Sequence, residues 1–376
     1  MKKVGIREIA RLANVSPGTV DRALHGRIGI TDETRARILA IAESIGYSPD
    51  LAARALSIGR APVQIGICIP REIHHYFDNL LQGMLLEAHR FERLGVKVTY
   101  HPTERLGADE VRKARELLAA RPDALILAPG SPEALAPVID EAERSGVRVI
   151  CVDTDAPAST RSTLVAVDAS LGGRLAAELM AGFLDRDDRV VVITGMLSLE
   201  NHGRSARSFV EAYGEFRAGS PGVEIVEAHE DEDESFRKCY ELLSARQPPA
   251  GIYVNTVNSL PVCRAISVCR LAGQVRLITT DVFRDLVPFF DKGIVSASIH
   301  GRPFALGETA IRLIVDHLLN GEQLPSTYRL TPHVVLRSNC RSFREARRDE
   351  AGTPESAVVS GAHEFSDPSL DSAGGD

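Results

Sequence analysis

Apolar side chains in the first 60 residues recur at helical spacing. A first helix is predicted by apolar residues that repeat every three or four positions, Ile6, Ile9, Ala10 and Ala13. Asn14 follows it and tolerates a left-handed turn. Ser16 is expected to cap a second helix that has Pro17 at its first position. Thr31 is expected to cap a third helix, which Gly46 ends. The buried face of that helix is predicted to consist of Ile38, Ile41, Ala42 and Ile45. The pattern predicts a small all-helical segment at the start of the chain.

From Val63 onward, short apolar runs alternate with amphipathic stretches. The runs have the length of strands and comprise Val63–Ile69, Val96–Tyr100, Ala124–Leu127, Val147–Val152, Val190–Ile193, Ile252–Val254 and Val275–Thr279. Helical stretches such as Asp109–Ala119 and Pro132–Ser145 lie between them. Repeated β-α-β order predicts parallel, doubly wound sheets. Because about 280 residues exceed one comfortable core, we expect two such lobes.

Charge divides the chain in the same place. Residues 1–60 carry ten Lys or Arg and six Asp or Glu, a balance of +4. The whole chain has a net charge of −7, so the remainder carries −11. A basic head on an acidic body is typical of a protein in which only the head contacts phosphate.

The apolar runs and the cysteine spacing predict where in the cell the protein is located. Apolar runs stay well short of the roughly 20 residues of a membrane helix, so no membrane contact is predicted. Lys2 and Lys3 precede no apolar run, so a secretion signal is not predicted and a cytoplasmic location is expected. The six cysteines are scattered without a C-x-x-C pair, which predicts buried thiols in a reducing compartment.

Motifs of catalysis are missing from the sequence. G-x-G-x-x-G, P-loop, G-x-S-x-G and H-E-x-x-H patterns do not occur. His74 and His75 are adjacent, but no further metal ligands stand at a fixed spacing from them. We therefore expect no enzymatic activity, no cofactor and no metal.

The first two predicted helices satisfy the steric pattern of a helix-turn-helix. Ala10 is the small residue at the helix crossing, and Asn14 is the turn residue. Apolar residues stand at the positions that lock the helices together, namely Ile9, Ala13, Val15, Val20 and Ala23. An ordinary helical hairpin is the alternative. The second helix would enter the major groove of DNA through its exposed residues, Ser16, Pro17, Gly18, Thr19 and Arg22.

The run IREIARLANVSPGTVDRALHG, followed by ITDETRARILAIAESIGYSPDLAARALSIGR, resembles the LacI/GalR family of regulators. The resemblance continues to about Cys340. It implies an N-terminal all-α helix-turn-helix head with a hinge helix, followed by an α/β two-lobed periplasmic-binding-protein-like domain built on two doubly wound parallel sheets. The segment from Ser48 to Leu56 resembles the hinge helix. Leu56 would then wedge into the minor groove; packing in the receptor core is the alternative. Asp21 differs from the family pattern, in which serine is the commoner residue at this position.

The expected domain boundaries follow from these patterns. Residues 1–48 form the DNA-binding domain, and residues 49–61 form the hinge helix and linker. Residues 62–340 form the effector-binding domain, with lobe 1 at about 62–167 and 302–328 and lobe 2 at about 168–301 and 329–340. Residues 341–376 lose apolar periodicity and are expected to be a disordered tail.

The body resembles the ribose-binding branch of sugar-binding proteins, in which ligands bind beyond the carboxyl ends of strands. The residues that this resemblance assigns to ligand contacts are His74, Tyr76, Phe77, Asp153, Asp155, Asp168, Arg204, Asn258 and Asp281. Core packing is the alternative for the two aromatic residues, and a turn or helix cap is the alternative for the first two aspartates. Arg207 is the alternative to Arg204 as the arginine that contacts the ligand. Gly301 stands where the family has a glutamine, which His300 or Arg302 could replace.

These observations predict a homodimer that binds a pseudo-palindromic operator in double-stranded DNA. A small hydroxylated effector, a sugar or polyol, would close the cleft between the lobes and change operator affinity. The alternatives are a periplasmic-type sugar-binding transport protein, an architectural DNA-binding protein without an effector, and an enzyme. The basic head and the missing signal sequence favour the regulator.

Overall fold

A computed structural model describes residues 6–24, 30–44 and 62–343. The helices are α1 (Ile6–Ala13), α2 (Pro17–Leu24), α3 (Asp32–Ser44), α4 (His74–Phe91), α5 (Glu110–Ala119), α6 (Pro132–Arg144), α7 (Ala169–Phe183), α8 (Glu200–Phe216), α9 (Glu232–Ser244), α10 (Leu260–Val268), α11 (Val287–Asp291) and α12 (Pro303–Asn320). The strands are β1 (Gln64–Cys68), β2 (Lys97–Tyr100), β3 (Ala124–Leu127), β4 (Arg148–Val152), β5 (Thr163–Val167), β6 (Val190–Thr194), β7 (Glu224–Glu227), β8 (Gly251–Val254), β9 (Arg276–Thr280), β10 (Val295–His300), β11 (Thr327–Leu330) and β12 (His333–Val335).

Helices α1, α2 and α3 pack on one another around a small apolar core. Its buried members are the residues that the sequence pattern selects, Ile9, Ala10, Ala13, Val20, Ala23, Ile38 and Ala42. Val15 and Ile41 pack against this cluster. Small residues at the crossing of α1 and α2 permit close approach of the two helices, and the predicted locking positions are therefore confirmed as core.

The chain divides into two compact units. Unit 1 holds the described residues up to Ala169, together with Ser198–Gly203 and Arg302–Thr331. Its sheet has six strands in the order β11-β5-β4-β3-β1-β2, and neighbouring strands run parallel. Parallel strands need crossover connections, which α4, α5 and α6 provide. All their carboxyl ends therefore lie along one edge of the sheet.

Unit 2 holds Ser170–Leu197, Arg204–Gly301 and the described residues from Pro332 onward. Its six strands have the order β12-β10-β9-β8-β6-β7. They run parallel except for β12, which pairs antiparallel with β10. In β6, Val191 and Ile193 join one buried cluster while Val190 and Val192 join another. Because successive side chains point to opposite faces, both faces of this sheet are covered.

Two glycines permit close packing of α4 against α12 in unit 1. A Cβ atom at Gly83 would lie 2.0 Å from the backbone oxygen of Phe304, and one at Gly307 would lie 2.1 Å from that of Leu80. Real Cβ contacts are never so short, so any side chain here would push the helices apart. The α4–α12 pair fixes the start of α4, which carries three of the predicted ligand residues.

The predicted parallel, doubly wound architecture is confirmed, and all seven predicted strands are present with ends shifted by about one residue. The strands that the apolar runs do not predict are β5, β7, β10, β11 and β12. Among the described residues, the helices are all too short or too polar to span a bilayer. Residues 45–61, which include the predicted helix end at Gly46, the hinge segment and the wedge residue Leu56, lie outside the described residues, as do residues 344–376. The first three residues of the predicted tail are described and belong to a short 3-10 helix, Cys340–Phe343, so the described structure continues past the predicted start of the tail.

Candidate functional site

The turn between α1 and α2 has the conformation that the helix-turn-helix pattern requires. Asn14 adopts a left-handed backbone with φ 52°. The backbone nitrogen of Val15 donates to the oxygen of Ala10 at 3.0 Å, which closes the turn. An asparagine accepts this conformation at low cost. The predicted left-handed turn at Asn14 is confirmed.

Ser16 caps α2. Its Oγ accepts a hydrogen bond from the backbone nitrogen of Thr19 at 3.1 Å, and the two hydroxyl oxygens lie 2.9 Å apart. This satisfies one of the free N–H groups at the helix start. The other side of α2 is buried through Val20 and Ala23. The cap orients the helix so that its first turn remains exposed.

The five predicted DNA-reading residues in α2 and its cap lie together. Ser16, Pro17, Gly18 and Arg22 are exposed, and Thr19 is half-buried. Free backbone N–H groups and the helix dipole make such a helix start favourable for phosphate. An exposed arginine can donate two hydrogen bonds to a guanine. The geometry is therefore suited to contact with DNA.

In unit 1, the segments that follow β1 and β4 meet through Tyr76 and Asp153. The Tyr76 hydroxyl donates to Asp153 Oδ1 at 2.6 Å. Asp153 has a left-handed backbone with φ 66°, and its nitrogen donates to Val165 O at 2.9 Å. Phe77 packs edge-to-face on Tyr76, with 5.1 Å between ring centroids. Both aromatic residues are buried, so Tyr76 orients the Asp153 carboxylate in this structure.

The other predicted ligand residues of unit 1 have different surroundings. His74 is exposed, and its Nδ1 lies 3.5 Å from Asp78 Oδ2. Asp155 is buried, and Arg161 donates to both of its carboxylate oxygens, with Nη2 at 2.8 Å from Oδ2. The Asp155 carboxylate raises the pKa of Arg161 through this hydrogen bond. Asp168 is half-buried, and its nitrogen donates to Leu330 O at 2.9 Å.

In unit 2, Asp281 follows β9 and is buried. Its backbone is left-handed with φ 61°. Its Oδ1 accepts from the backbone nitrogen of Gly301 at 2.7 Å and lies 2.9 Å from Nδ1 of His300. The loops that follow β9 and β10 are thus joined through one carboxylate. His300, which the sequence suggested as a substitute for the family's glutamine, lies directly beside the predicted ligand residue.

Asn258 follows β8 and lies beside a residue that the sequence analysis did not select. Its Nδ2 donates to the backbone oxygen of Glu230 at 3.3 Å. Glu230 follows β7 and accepts hydrogen bonds from the Thr256 hydroxyl on both carboxylate oxygens, with Oε2 at 2.6 Å. Burial raises the pKa of Glu230 to about 7. Glu230 is half-buried and belongs to the acidic run from 230 to 234. Such a run is typical of an exposed helix start, so the sequence gives no sign that Glu230 is partly enclosed.

The two competing arginines differ in exposure. Arg204 lies in α8 and is half-buried, whereas Arg207 is exposed. The structure therefore places Arg204 in the more enclosed position of the two. A side chain that is partly desolvated pairs more strongly with a ligand oxygen than a fully solvated one.

The cysteines have the character of core residues. Burial raises the pKa of the Cys68, Cys151 and Cys239 thiols to about 12. The thiolate is the reactive form of cysteine, so these side chains are unreactive near neutral pH. Together with Cys263 and Cys340 they are buried and free, as the scattered spacing predicts. Cys269 is free but only half-buried, so the prediction of a buried thiol is wrong there.

Two family models match different parts of the chain. The model described as a periplasmic binding protein domain matches residues 65–323, and the model described as bacterial regulatory proteins of the lacI family matches residues 5–50. The HTH-type transcriptional repressor PurR of Escherichia coli is 22% identical over 351 residues, which cover 91% of this chain and 99% of that protein. The similarity therefore includes both the head and the body.

Solved structures of sugar-binding proteins resemble about three quarters of the chain. A solute-binding protein of an ABC transporter from Burkholderia graminis, in complex with D-arabinose, has a TM-score of 0.69 and 20% identity, covering 76% of this chain and 98% of that one. An ABC transporter solute-binding protein from Actinobacillus succinogenes with bound D-allose has a TM-score of 0.67 and 22% identity, covering 75% and 100%. The likeness shows the fold. The chain belongs to the periplasmic-binding-protein domain family and carries the lacI-family head of bacterial regulatory proteins, so it is a DNA-binding transcription regulator with a ligand domain of the binding-protein type.

Proposed function

We propose that this chain is a cytoplasmic transcription repressor that binds a pseudo-palindromic operator as a homodimer and responds to a sugar or polyol. The observation that carries the proposal is the capped and exposed start of α2 on a complete helix-turn-helix core. The similarity to a named repressor over 91% of the chain supports the direction of regulation. A two-fold symmetric dimer would place one α2 on each half-site.

The chemistry at the strand ends supports the class of effector. Unit 1 presents Asp153 and unit 2 presents Asn258 and Asp281 after parallel strands, where open α/β sheets bind ligands. Carboxylates and amides accept and donate hydrogen bonds to hydroxyl groups. Two solved structures of similar fold are described with bound sugars, D-arabinose in one and D-allose in the other. We therefore propose these residues, together with the other predicted ligand contacts, as the effector site.

The predicted domain division is part of this proposal. Residues 1–48 would bind DNA, residues 49–61 would connect the head to the body, and residues 62–340 would bind the effector. The predicted lobes change near residues 167, 301 and 328, and the compact units change at Ala169, Gly301 and Thr331. Ser198–Gly203 belongs to unit 1, although the predicted boundaries place it in lobe 2. The agreement at the other boundaries supports the division of the effector-binding domain into two lobes.

Two measurements on the full chain test the proposal. Selection from a pool of random duplex DNA should enrich a sequence with two-fold symmetry. A thermal-shift panel of D-arabinose, D-allose, D-ribose and myo-inositol should contain a compound that raises the melting temperature, because a ligand that binds only the folded state stabilises it. The Asp281→Asn variant should lose this shift and retain operator binding. Enrichment of no symmetric sequence would contradict the operator, and a panel without any shift would contradict the effector class.

A further inference from the structure

The loop after β7 crosses the carboxyl end of β6. The backbone nitrogen of Ala228 donates to Thr194 O at 2.8 Å, and that of His229 donates to Gly195 O at 3.0 Å. Because β6 lies between β7 and β8 in the sheet, this crossing carries Glu230 from the sheet edge toward the loop after β8. Thr256 in that loop donates to the Glu230 carboxylate. Glu230 therefore lies among the strand ends of unit 2, beside Asn258.

The loop holds Glu230 in a costly conformation. His229 and Glu230 are consecutive residues with φ 49° and 58°. A left-handed backbone costs about 1 kcal/mol or more for each residue that is not glycine, asparagine or aspartate. Asn258 fixes the conformation by donating to Glu230 O. Strained residues persist where the surrounding structure enforces them, and such positions cluster at ligand sites.

The charged groups near this loop form pairs of their own. On the helix side, His229 Nδ1 lies 2.9 Å from Glu234 Oε2, and Lys238 Nζ lies 2.7 Å from Glu234 Oε1. Arg264 of α10 lies 3.5 Å from Glu232. Toward β9 and β10, Asp281 and His300 form the pair already described. Thr256 and Asn258 are neutral polar groups that contact Glu230 directly.

We propose that Glu230 is a specificity-determining residue of the effector site: its carboxylate accepts hydrogen bonds from adjacent hydroxyl groups of a neutral sugar or polyol. This inference rests on the proposed effector class. The two oxygens of a carboxylate match two adjacent hydroxyl donors, and hydrogen bonds to a charged acceptor are the stronger kind. No bond of the effector changes on binding, and any proton that Glu230 gives up passes to solvent.

If Glu230 binds the effector in its charged form, effector affinity should change with pH in one direction. Burial raises the pKa of Glu230 to about 7 in the free protein. Donors from the effector favour the charged form and lower that pKa in the complex. Protons are therefore released on binding, and affinity rises with pH. If the pKa in the complex falls below 6, the affinity increases about tenfold between pH 6 and pH 8.

Calorimetric titration of the full chain with D-arabinose, D-allose, D-ribose and myo-inositol, at pH 6 and pH 8, tests this. The wild-type chain should bind at least one compound more tightly at pH 8 and release protons, as measured in buffers of different ionisation enthalpy. Glu230→Gln should weaken binding at pH 8 by tenfold or more and abolish the pH dependence. Glu241→Gln is the matched control, because Glu241 is exposed in α9 and pairs with Arg237 on the surface. It should behave as wild type.

The outcomes separate this inference from the proposed function. Binding that is equal at both pH values and unchanged in Glu230→Gln would overturn the role of Glu230 and leave the sugar effector intact. Binding of none of the four compounds would overturn the effector class and the role of Glu230 with it. If Glu230→Gln loses binding, equal melting temperatures of the variant and the control would show that the loss is local.

Discussion

Aspartates at strand ends have the same appearance in a sequence and different surroundings in the structure. Asp153 accepts from Tyr76, Asp155 is held by Arg161, and Asp281 accepts from Gly301. Each arrangement depends on a partner that the loop conformation brings near. The sequence predicted polar groups at these positions because strands end there, and it left a turn or helix cap open as the alternative for Asp153 and Asp155. The partner determines whether such an aspartate is available to a ligand or fixes a turn. A partner that lies six or more residues away leaves no periodic pattern in the sequence, so it cannot be predicted from the sequence.

The Asp155–Arg161 pair predicts a stability effect. Asp155→Asn removes the charge that compensates Arg161, whose side chain is only 14% exposed. Leaving a largely desolvated guanidinium without its carboxylate should lower the free energy of unfolding by about 2 kcal/mol or more. Glu141→Gln is the control, because Glu141 pairs with Arg115 on the surface and should cost less than about 1 kcal/mol. Equal urea midpoints for the two variants would show that the pair is not stabilising.

Arg22 carries the prediction at the DNA interface. Because it is exposed in α2, Arg22→Ala should weaken operator binding by about 1–3 kcal/mol per half-site and relax the sequence preference. Arg37 in α3 is also exposed, and Arg37→Ala should change the affinities for operator and scrambled duplex by the same factor. Gel-shift titrations with both duplexes measure this. An unchanged preference in Arg22→Ala would assign base recognition to other residues.

Whole elements were predictable where burial is continuous. β3 and β6 are buried along their full length and β4 from its second residue onward, and a run of apolar residues is enough to predict them. β7 and β11 form sheet edges, and their sequences mix glutamate, tyrosine and arginine with apolar residues. Edge strands need no apolar run, because only part of their surface is covered. Position at a sheet edge therefore accounts for β7 and β11, whereas the missed strands β5 and β10 lie inside their sheets and have no such explanation.

The α4–α12 contact yields a prediction about an element pair. Gly83→Ala places a Cβ atom 2.0 Å from Phe304 O, and backbone atoms must shift to accommodate it. The free energy of unfolding should fall by about 1–3 kcal/mol, as in other overpacked cores. Gly214→Ala in α8 is the opposite case, because no described atom lies within 4 Å of the added methyl group. It should gain up to about 1 kcal/mol from helix propensity. Denaturant unfolding of both variants checks the sign, and a stabilised Gly83→Ala chain would refute the close-packing argument.

At the scale of the molecule, the sequence divides the chain correctly into a basic head and an acidic body. The head could be predicted in detail because its pattern is local: the cap, the turn and seven core positions all lie within 42 residues. The site in the body could be predicted only as a set of strand ends. Glu230 lies near these strand ends because the loop after β7 crosses the end of β6, and this crossing depends on the order of strands in the sheet. The periodicity of apolar residues does not predict strand order, so the sequence alone does not identify Glu230 as a candidate ligand contact.

Coupling between the head and the body gives the last prediction. If the effector changes operator affinity by some factor, the operator must change effector affinity by the same factor. Anisotropy titrations of operator with and without sugar, and calorimetry of sugar with and without operator, should return equal factors. A factor of one in both titrations would show that the sugar does not act on operator binding, and unequal factors would mean that one titration had not reached equilibrium.

The segment that transmits this coupling is predicted from sequence alone, because Leu56 lies outside the described residues. Residues 49–57 include Ala52, Ala53 and Ala55, and so short a helix is marginal unless DNA and a second protomer support it. Leu56→Ala should retain the melting temperature, the dimer and sugar binding, since these belong to the body. It should lose operator affinity and DNA bending together, because the apolar wedge that unstacks a base step is gone. A variant that unfolds early would place Leu56 in the receptor core. A stable variant that bends DNA normally would remove the wedge while leaving the helix-turn-helix unaffected.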